Sequence, residues 1–236
     1  MKGKVAFITG GSKGIGFGIA RSLAKEGVKT VLTSRNQESA EKAAKDISDA
    51  FGVESFGVKA DVRHYNHLEK AVETAVDTFG KIDYVIANAG LGHFATIENL
   101  SLDQWHEVID TNLTGVFYTI KSTVEELTKS KGYFITISSL AGANFFSGGA
   151  AYNASKFGVT GFTQAVMLDL RQKGINVSTI MPGSVSTYFN NNEPSEKDAW
   201  KIQIEDIGEI VVDLIKLNPR TLPSKIEVRP SMPPNK

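Results

Sequence analysis

Short apolar stretches rich in β-branched and aromatic residues recur along the chain, separated by longer amphipathic segments. The short stretches have the length and composition of buried strands; they are KVAFIT from Lys4, KTVLTS from Lys29, VESFGV from Val53, DYVIAN from Asp83, YFITIS from Tyr133 and INVSTIM from Ile175. The amphipathic segments have helical periodicity over residues 15–26, 37–50, 65–79, 102–129, 150–173 and 206–217. Strand and helix therefore alternate throughout.

This alternation predicts an α/β fold: a single Rossmann-type doubly wound parallel sheet with helices on both faces. The apolar triplet IEV near the carboxyl terminus adds a seventh short strand, so we expect about seven strands. The proline-rich residues after it should be irregular. In such a fold, ligands bind beyond the carboxyl ends of the strands.

Composition and charge limit the classes of partner. The chain has 236 residues, and its 26 Lys and Arg balance 26 Asp and Glu, so nothing favours nucleic acid or an anionic membrane. We expect a small-molecule partner. With no cysteine, the chain has no disulfide, thiolate metal site or cysteine nucleophile. The apolar run after Met1 is too short for a signal peptide or a membrane span, which favours a cytoplasmic location.

A glycine-rich stretch, TGGSKGIG over residues 9–16, follows the first predicted strand and opens a helix. Its glycines permit a tight turn, and the helix N-terminus offers free N–H groups to a phosphate. The stretch predicts a pyrophosphate site formed by Gly10, Ser12, Lys13, Gly14, Ile15 and Gly16. The literal G-x-G-x-x-G string is absent, so the match lies in context, and a purely structural turn is the alternative.

The same letters also spell G-x-S-x-G, the pattern of a hydrolase nucleophile elbow centred on Ser12. In that fold the catalytic histidine follows late in the chain. The histidines here are His64, His67, His93 and His106, none of them in the second half of the sequence. A hydrolase is therefore disfavoured.

The end of the second predicted strand indicates which dinucleotide binds. An NAD enzyme would place Asp or Glu there to bind the ribose 2′-hydroxyl, whereas this chain has Ser34 and Arg35. Arginine can bind a 2′-phosphate by charge-assisted hydrogen bonds, and Lys13 adds a second cation. The arrangement favours NADP(H), although either cation alone could be a solvated surface charge.

Tyr152 and Lys156 lie four residues apart in a predicted helix, which places both side chains on one face. At roughly 5 Å and an effective dielectric near 20, their interaction is about 3 kcal/mol, enough to lower a phenol pKa by about two units. Such a tyrosine could exchange protons near neutral pH. The alternative is a packed ring beside a solvated charge.

Taken in order, these motifs resemble those of the short-chain dehydrogenase/reductase family over nearly the whole chain. TGGSKGIG resembles the family's T-G-x-x-x-G-x-G, ADV resembles its adenine-contacting segment, ANAG its N-N-A-G, and PGSVST the segment that clasps the nicotinamide amide. The resemblance implies further cofactor contacts from Asp61, Val62, Asn88, Ala89, Gly90, Pro182, Gly183, Val185 and Thr187, besides Tyr152 and Lys156.

Asn112, Ser139, Tyr152 and Lys156 match the family's catalytic tetrad. The resemblance implies that Tyr152 is the general acid, that Lys156 binds the nicotinamide ribose and lowers the phenol pKa, that Ser139 orients the carbonyl, and that Asn112 holds a proton-relaying water. Taken singly, Asn112 could instead mark a helix kink and Ser139 a strand-end turn.

The expected function is hydride transfer between NADP(H) and a carbonyl or alcohol substrate, in the direction of reducing a ketone or aldehyde. We expect residues 1–236 to form a single dinucleotide-binding and catalytic domain. A non-catalytic NADP(H)-sensing binding protein is the alternative. The substrate stays open, because the segment after Pro182 is short and the tail lacks the glycine-rich ending of acyl-carrier-protein reductases.

Residues beside the matched motifs are candidates for the substrate pocket or for ordinary core: His93, Phe94, Asn144, Phe145, Phe146, Tyr188 and Phe189. His64 and His67 have helical spacing but no third ligand, so no metal is expected. The long fourth and fifth helices, which the family pairs across a twofold axis, predict a homodimer or homotetramer. Their apolar residues could serve core or interface; examples are Val116, Phe117, Phe162 and Val166.

Overall fold

The computed structural model describes residues 1–233. Its strands are β1 (Val5–Ile8), β2 (Lys29–Ser34), β3 (Ser55–Lys59), β4 (Tyr84–Ala87), β5 (Tyr133–Ile137), β6 (Asn176–Pro182) and β7 (Lys225–Val228). Its α-helices are α1 (Gly14–Lys25), α2 (Gln37–Phe51), α3 (Tyr65–Phe79), α4 (Leu102–Ile109), α5 (Gly115–Ser130), α6 (Ala150–Leu170) and α7 (Ile204–Lys216).

The strands form one parallel sheet in the order β3-β2-β1-β4-β5-β6-β7. The predicted doubly wound fold with about seven strands is confirmed. The chain winds outward from β1 to β3 and then crosses back to start again at β4. The neighbouring strands β1 and β4 therefore mark the point where the winding reverses, and a crevice opens beyond their carboxyl ends.

Alternate residues of each strand enter two separate apolar layers. In β1, Ala6 and Ile8 pack with α1, α2 and α7 on one face, whereas Val5 and Phe7 pack with α3, α5 and α6 on the other. Both layers are fully buried at the central strands. Because helices cover both faces, these strands are apolar almost throughout, as parallel strands usually are.

Two predicted helices differ in detail. The helix expected over residues 102–129 is interrupted by a π-helical segment, Asp110–Thr114, which joins α4 to α5. The helix expected over residues 150–173 ends at Leu170 and continues as a short 3₁₀ turn, Arg171–Lys173. The described part of the tail after β7 has no helix or strand, and residues 234–236 of the predicted irregular end lie outside the described residues. No helix within residues 1–233 combines the length and apolarity needed to cross a bilayer.

Candidate active site

The glycine loop turns sharply between β1 and α1. Gly10 and Gly14 have φ angles of +63° and +59°, a region that favours glycine. Helix α1 begins at Gly14, no side chain caps its N-terminus, and its first turn holds no acidic residue. The N–H groups of that turn are therefore available to an anion.

Asn88, just after β4, ties the end of that strand to the glycine loop. Its Nδ2 donates to the carbonyl oxygens of Thr9, at 2.9 Å, and Gly10, at 3.1 Å. A Cβ at Gly16 would lie 2.5 Å from this Nδ2 and 2.5 Å from the Gly10 oxygen, so only glycine fits. The main-chain N–H groups of Asn88 and Ala89 both donate to the Thr9 hydroxyl. The predicted ANAG segment and the glycine loop therefore form one cradle.

The PGSVST segment reaches the same cradle from the other side. Pro182 ends β6, and the Gly183 N–H donates to the Val228 oxygen at 2.8 Å. Val185 then pairs with Ile202 in an isolated bridge. Thr187 lies beside the glycine loop, with its Cγ2 3.6 Å from the position a Cβ would take at Gly14. The structure thus brings together the residues that the resemblance assigned to the pyrophosphate and nicotinamide ends of a dinucleotide.

Lys13 and Arg35, the cations predicted to bind a 2′-phosphate, each have a neighbouring side chain in the structure. Arg35 lies 3.8 Å from Glu107 (Nη1 to Oε1), and the Lys13 ammonium lies 5.8 Å from the centre of the Tyr188 ring. Ser34 is the last residue of β2, and its hydroxyl accepts a hydrogen bond from the Asn36 N–H at 3.3 Å. Arg35 therefore has a carboxylate neighbour that the sequence did not indicate.

Asp61, expected at the adenine ring, binds Arg63 through both carboxylate oxygens at 2.6–3.1 Å. Burial alone would raise the pKa of Asp61, but the hydrogen bonds and charge of Arg63 outweigh it and the pKa is lowered. The neighbouring Val62 is buried, with its side chain against Gly115. It therefore packs against the start of α5.

Glu107 is the centre of an ion cluster that sequence reasoning missed. Its Oε1 lies 3.9 Å from Nη1 of Arg63, and its Oε2 lies 2.8 Å from Nε2 of His93. Arg63 follows the ADV motif directly, a signal that could have suggested it. Glu107 has no local signal, because its neighbours come from distant parts of the chain.

The predicted tetrad residues lie at the carboxyl ends of β4 and β5. Lys156 is buried on α6; its ammonium donates to the Ile137 oxygen at 3.0 Å and lies 5.7 Å from the centre of the Tyr152 ring. Ser139 follows β5, and its hydroxyl accepts from the Ala141 N–H at 3.1 Å, as a turn residue would. A hydrogen bond between this serine and the Tyr152 phenol acts to lower the phenol pKa.

The pKa of Tyr152 differs from the prediction. Burial raises it, and the Ser139 hydrogen bond only opposes this effect. The Lys156 ammonium lies 5.7 Å from the centre of the ring and donates to the Ile137 oxygen. Burial in turn lowers the pKa of Lys156 to about 8. The expectation that the lysine lowers the phenol pKa is wrong for the cofactor-free chain.

Asn112 lies in the π-helical segment and is buried. Its amide accepts from the Leu91 N–H at 2.9 Å and donates to the Leu91 oxygen at 2.8 Å and the Ser155 hydroxyl at 3.0 Å. A Cβ at Gly90 would lie 3.2 Å from Asn112 Oδ1 and 3.7 Å from Lys156 Nζ, so both polar groups border this glycine. Most of the amide's hydrogen-bonding capacity is used within the protein, and Asn112 lies at the interruption of the helix, as the kink alternative expected.

The pocket candidates divide into two groups. Phe94 and Phe189 contact the Tyr152 ring, and Phe146 contacts Phe94. The others lie apart from that ring: His93 binds Glu107, Tyr188 lies beneath Lys13, and Phe145 and Asn144 are exposed. The rings of His64 and His67 are tilted by 56° with their centres 4.9 Å apart, and within residues 1–233 no three His, Asp or Glu side chains cluster as metal ligands.

Comparison with known proteins agrees with this geometry. The family model described as short chain dehydrogenase matches residues 4–198. A 3-oxoacyl-[acyl-carrier-protein] reductase of Synechocystis sp. is 35% identical over 207 residues, which cover 87% of this chain and 84% of that protein.

Solved structures give the same result. An alcohol dehydrogenase from the archaeon Thermococcus sibiricus, complexed with 5-hydroxy-NADP, superposes with a TM-score of 0.92 at 31% identity, covering 99% of both chains. A metagenomic short-chain oxidoreductase in complex with NADP superposes with a TM-score of 0.86 at 31% identity, covering 98% of this chain and 99% of the other. The fold, the glycine cradle and these matches show that the chain belongs to the short-chain dehydrogenase/reductase family of oxidoreductases.

Proposed function

We propose that this protein reduces a ketone or aldehyde with NADPH, with Tyr152 as the general acid. The observation that carries the proposal is the position of the Tyr152 phenol: it lies beside Ser139 and a buried lysine, at the end of the crevice that begins with the glycine loop. In the family, this is where a carbonyl group meets the nicotinamide. The raised phenol pKa keeps Tyr152 protonated at neutral pH, as a proton donor must be.

The cofactor, when bound, supplies the hydride; the remaining work falls to the chain. Ser139 donates a hydrogen bond that orients the substrate carbonyl, and Tyr152 gives its proton to the same oxygen. Lys156 holds the tyrosine ring in place and offers its ammonium to the ribose hydroxyls. Asn112 fixes the loop after β4 through Leu91, and so positions Gly90 beside the lysine.

NADPH is the proposed cofactor for reasons internal to the chain. The end of β2 carries no acidic residue, and Lys13, Arg35 and Arg63 supply cations around the expected position of a 2′-phosphate. Solved relatives that hold NADP or 5-hydroxy-NADP support this choice. Glu107 opposes it locally, so the arginines must exchange a carboxylate for a phosphate when the cofactor binds.

We further propose that two or four copies assemble through α5 and α6. Val116 belongs to the core, whereas Phe117 on the same helix is 44% exposed. Phe162 and Val166 are partly buried against the core. Of the four residues that the sequence indicated, only Phe117 is largely exposed, so the proposed interface must also include further exposed residues of α6.

Replacing Tyr152→Phe tests the proposed function. Turnover of a carbonyl compound, followed by NADPH absorbance, should fall about 10²- to 10⁴-fold, because the ring stays but the proton donor is lost. The dissociation constant of NADPH should change little. Tyr65→Phe, at a half-buried tyrosine at the start of α3 that contacts Tyr118, is the matched control and should keep full turnover.

Two results would contradict the proposal. Unchanged turnover in Tyr152→Phe would show that Tyr152 is not the general acid. A natural protein that binds NADPH but reduces none of a broad panel of ketones and aldehydes would support the non-catalytic sensing alternative instead.

A further inference from the structure

Two phenylalanines, Phe94 and Phe189, contact the Tyr152 ring. Phe94 meets the ring edge-on, with centres 5.5 Å apart, and Phe189 lies 5.6 Å from it. These two rings also meet each other edge-on at 6.3 Å. They come from distant segments, the loop after β4 and the segment after β6. Together the two phenylalanines form an aromatic wall beside the Tyr152 ring.

Both rings of the wall pack closely against the main chain at Gly92. A Cβ there would lie 2.8 Å from Cζ of Phe189 and 2.9 Å from Cζ of Phe94. Any larger residue would push at least one ring away from Tyr152. The glycine thus lets both rings converge beside the phenol.

The aromatic surface continues outward through Phe146, whose ring centre lies 5.8 Å from that of Phe94. Phe146 also borders an open groove of about 460 Å³, whose other walls include Ala95, Ile97 and Phe145. Phe94 is 42% exposed and Phe146 is 48% exposed, so a substrate can reach both rings. A path of aromatic rings therefore runs from Tyr152 through Phe94 to Phe146 at the protein surface.

Charged side chains next to this path in the sequence are engaged elsewhere. His93, the neighbour of Phe94 in the chain, binds Glu107 at 2.8 Å. Lys13 lies over Tyr188, the neighbour of Phe189. The acidic residue on the groove is Glu98, which would repel an anionic substrate. The wall thus disfavours an anionic group.

From this geometry we propose that the substrate is a ketone or aldehyde without a negative charge and with an aromatic ring close to its carbonyl, and that Phe94 and Phe189 select for that ring. The inference rests on the proposed function. Edge-to-face contacts favour an aromatic ring over a saturated ring of the same size, by about 2- to 13-fold for each contact. Phe94 and Phe189 are then specificity-determining residues, and Phe146 continues the surface for a larger substituent.

Matched probes test this selectivity. Phenylacetone and cyclohexylacetone carry the same methyl ketone one carbon from a ring, so their carbonyl reactivity is alike and only the ring differs. The natural protein should reduce phenylacetone with the higher kcat/KM. The para-carboxylate of phenylacetone should be reduced at least tenfold less efficiently, because its charge would be buried against the wall.

Phe94→Leu and Phe189→Leu should each lower the ratio of kcat/KM for phenylacetone to kcat/KM for cyclohexylacetone by about 2- to 13-fold, because one edge-to-face contact with the substrate ring is lost. Phe56→Leu, on β3, is the control and should leave the ratio unchanged. Thermal unfolding of each variant checks that it is folded, and either leucine variant alone suffices for the test.

The outcomes separate the two proposals. Equal efficiency for the two neutral ketones, or a ratio unaffected by both leucine variants, would overturn the aromatic selectivity while leaving carbonyl reduction in place. Efficient reduction of the carboxylate would overturn it as well. If no carbonyl compound consumes NADPH, the proposed function falls and this inference falls with it.

Discussion

Lys156 and Tyr152 show how burial changes the chemistry that residue spacing suggests. Their positions four residues apart indicate a charge beside a phenol, and the structure does place them together on α6. Spacing cannot show that the ammonium is buried against the Ile137 oxygen, with a pKa lowered to about 8. Burial therefore raises the pKa of Tyr152 and lowers that of Lys156, and both shifts favour the neutral form of the side chain. Bound cofactor hydroxyls would give the ammonium partners that this cofactor-free chain lacks.

Lys156 should make the stability of the cofactor-free protein depend on pH. Its pKa is about 8 when folded and near 10.5 when unfolded, so the unfolded chain holds more protons between these values. The free energy of unfolding should rise with pH across this window, and the full penalty should be present below about pH 8. The contribution amounts to about 3 kcal/mol.

Urea unfolding of the natural protein and of Lys156→Met measures this effect. Between about pH 8 and 10.5, the free energy of unfolding of the natural protein should rise relative to that of Lys156→Met. The variant also leaves the Ile137 oxygen without its donor, but that cost does not vary with pH. A difference that stays flat across the window would show that the lysine is not buried as described.

Cofactor preference is also decided by single residues. Ser34→Asp combined with Arg35→Ala should weaken NADPH binding by roughly ten- to a hundredfold, because a charged contact is lost and an acid faces the 2′-phosphate. NADH binding, measured by the same fluorescence titration, should change much less. Equal dissociation constants for NADPH and NADH in the natural protein would refute the preference.

Glu107 gives the opposite test at the same place. Its carboxylate lies 3.8 Å from Arg35 and 3.9 Å from Arg63, where it competes with a phosphate. Glu107→Gln should therefore tighten NADPH binding by up to about fivefold, the range expected for a partly exposed ion pair. NADH is the control ligand. Weaker NADPH binding in this variant would mean that the carboxylate holds the arginines ready instead.

At the scale of elements, two glycines of α1 allow two different close contacts: Gly16 with the cofactor cradle and Gly18 with the start of α7. Gly16 faces the Asn88 amide and the Gly10 oxygen, within the cofactor cradle. Gly18, about half a turn later, faces the main chain at Ile204, where α7 begins. The first glycine serves the loop, and the second serves helix packing.

Gly16→Ala and Gly18→Ala should both lower the melting temperature, since each added methyl group forces the backbone apart. Only Gly16→Ala should also weaken NADPH binding, by roughly tenfold or more, because it displaces the Asn88 hydrogen bonds that shape the cradle. The comparison uses a temperature at which both variants are folded. Equal loss of affinity in both would show that the cradle does not depend on the Asn88 contact.

The sequence predicts these elements better than their interruptions. Periodicity finds the helix over residues 102–129, but a five-residue π-helical stretch leaves no mark on the pattern of apolar residues. Asn112 is recognisable only through the family motif. Its role in fixing Leu91 appears only when the loop after β4 is seen folded against the kink. Glu107 is unpredictable for the same reason, since its cationic neighbours are set by side-chain directions.

For the molecule as a whole, alternating strands and helices determine the sheet, and the sheet brings the motifs together. The carboxyl ends of β1, β4, β5 and β6 carry the glycine loop, ANAG, Ser139 and PGSVST in spatial order. That convergence follows from the parallel topology alone. The aromatic wall does not follow from it, because Phe94 and Phe189 meet only through the path of two irregular segments.

One face of α6 is left uncovered in the single chain. Phe157 is 43% exposed and Leu168 is 53% exposed, three helical turns apart on one stripe. Gly161 lies between them, and no atom lies within 4 Å of where its Cβ would be. Phe117 of α5 extends the stripe toward Phe162, whose ring it meets edge-on at 6.3 Å. Large exposed apolar residues with a small residue at the centre suit the close approach of a second helix.

If α6 forms the proposed interface, Phe157→Glu should convert the proposed dimer or tetramer to a smaller species, because a carboxylate would be buried against the partner copy. Light scattering at micromolar concentration measures the mass. Leu102→Glu, an equally drastic change at an exposed leucine of α4, should leave the mass unchanged. A natural protein that is monomeric, or a Phe157→Glu variant with the natural mass, would place the α6 stripe outside any subunit interface.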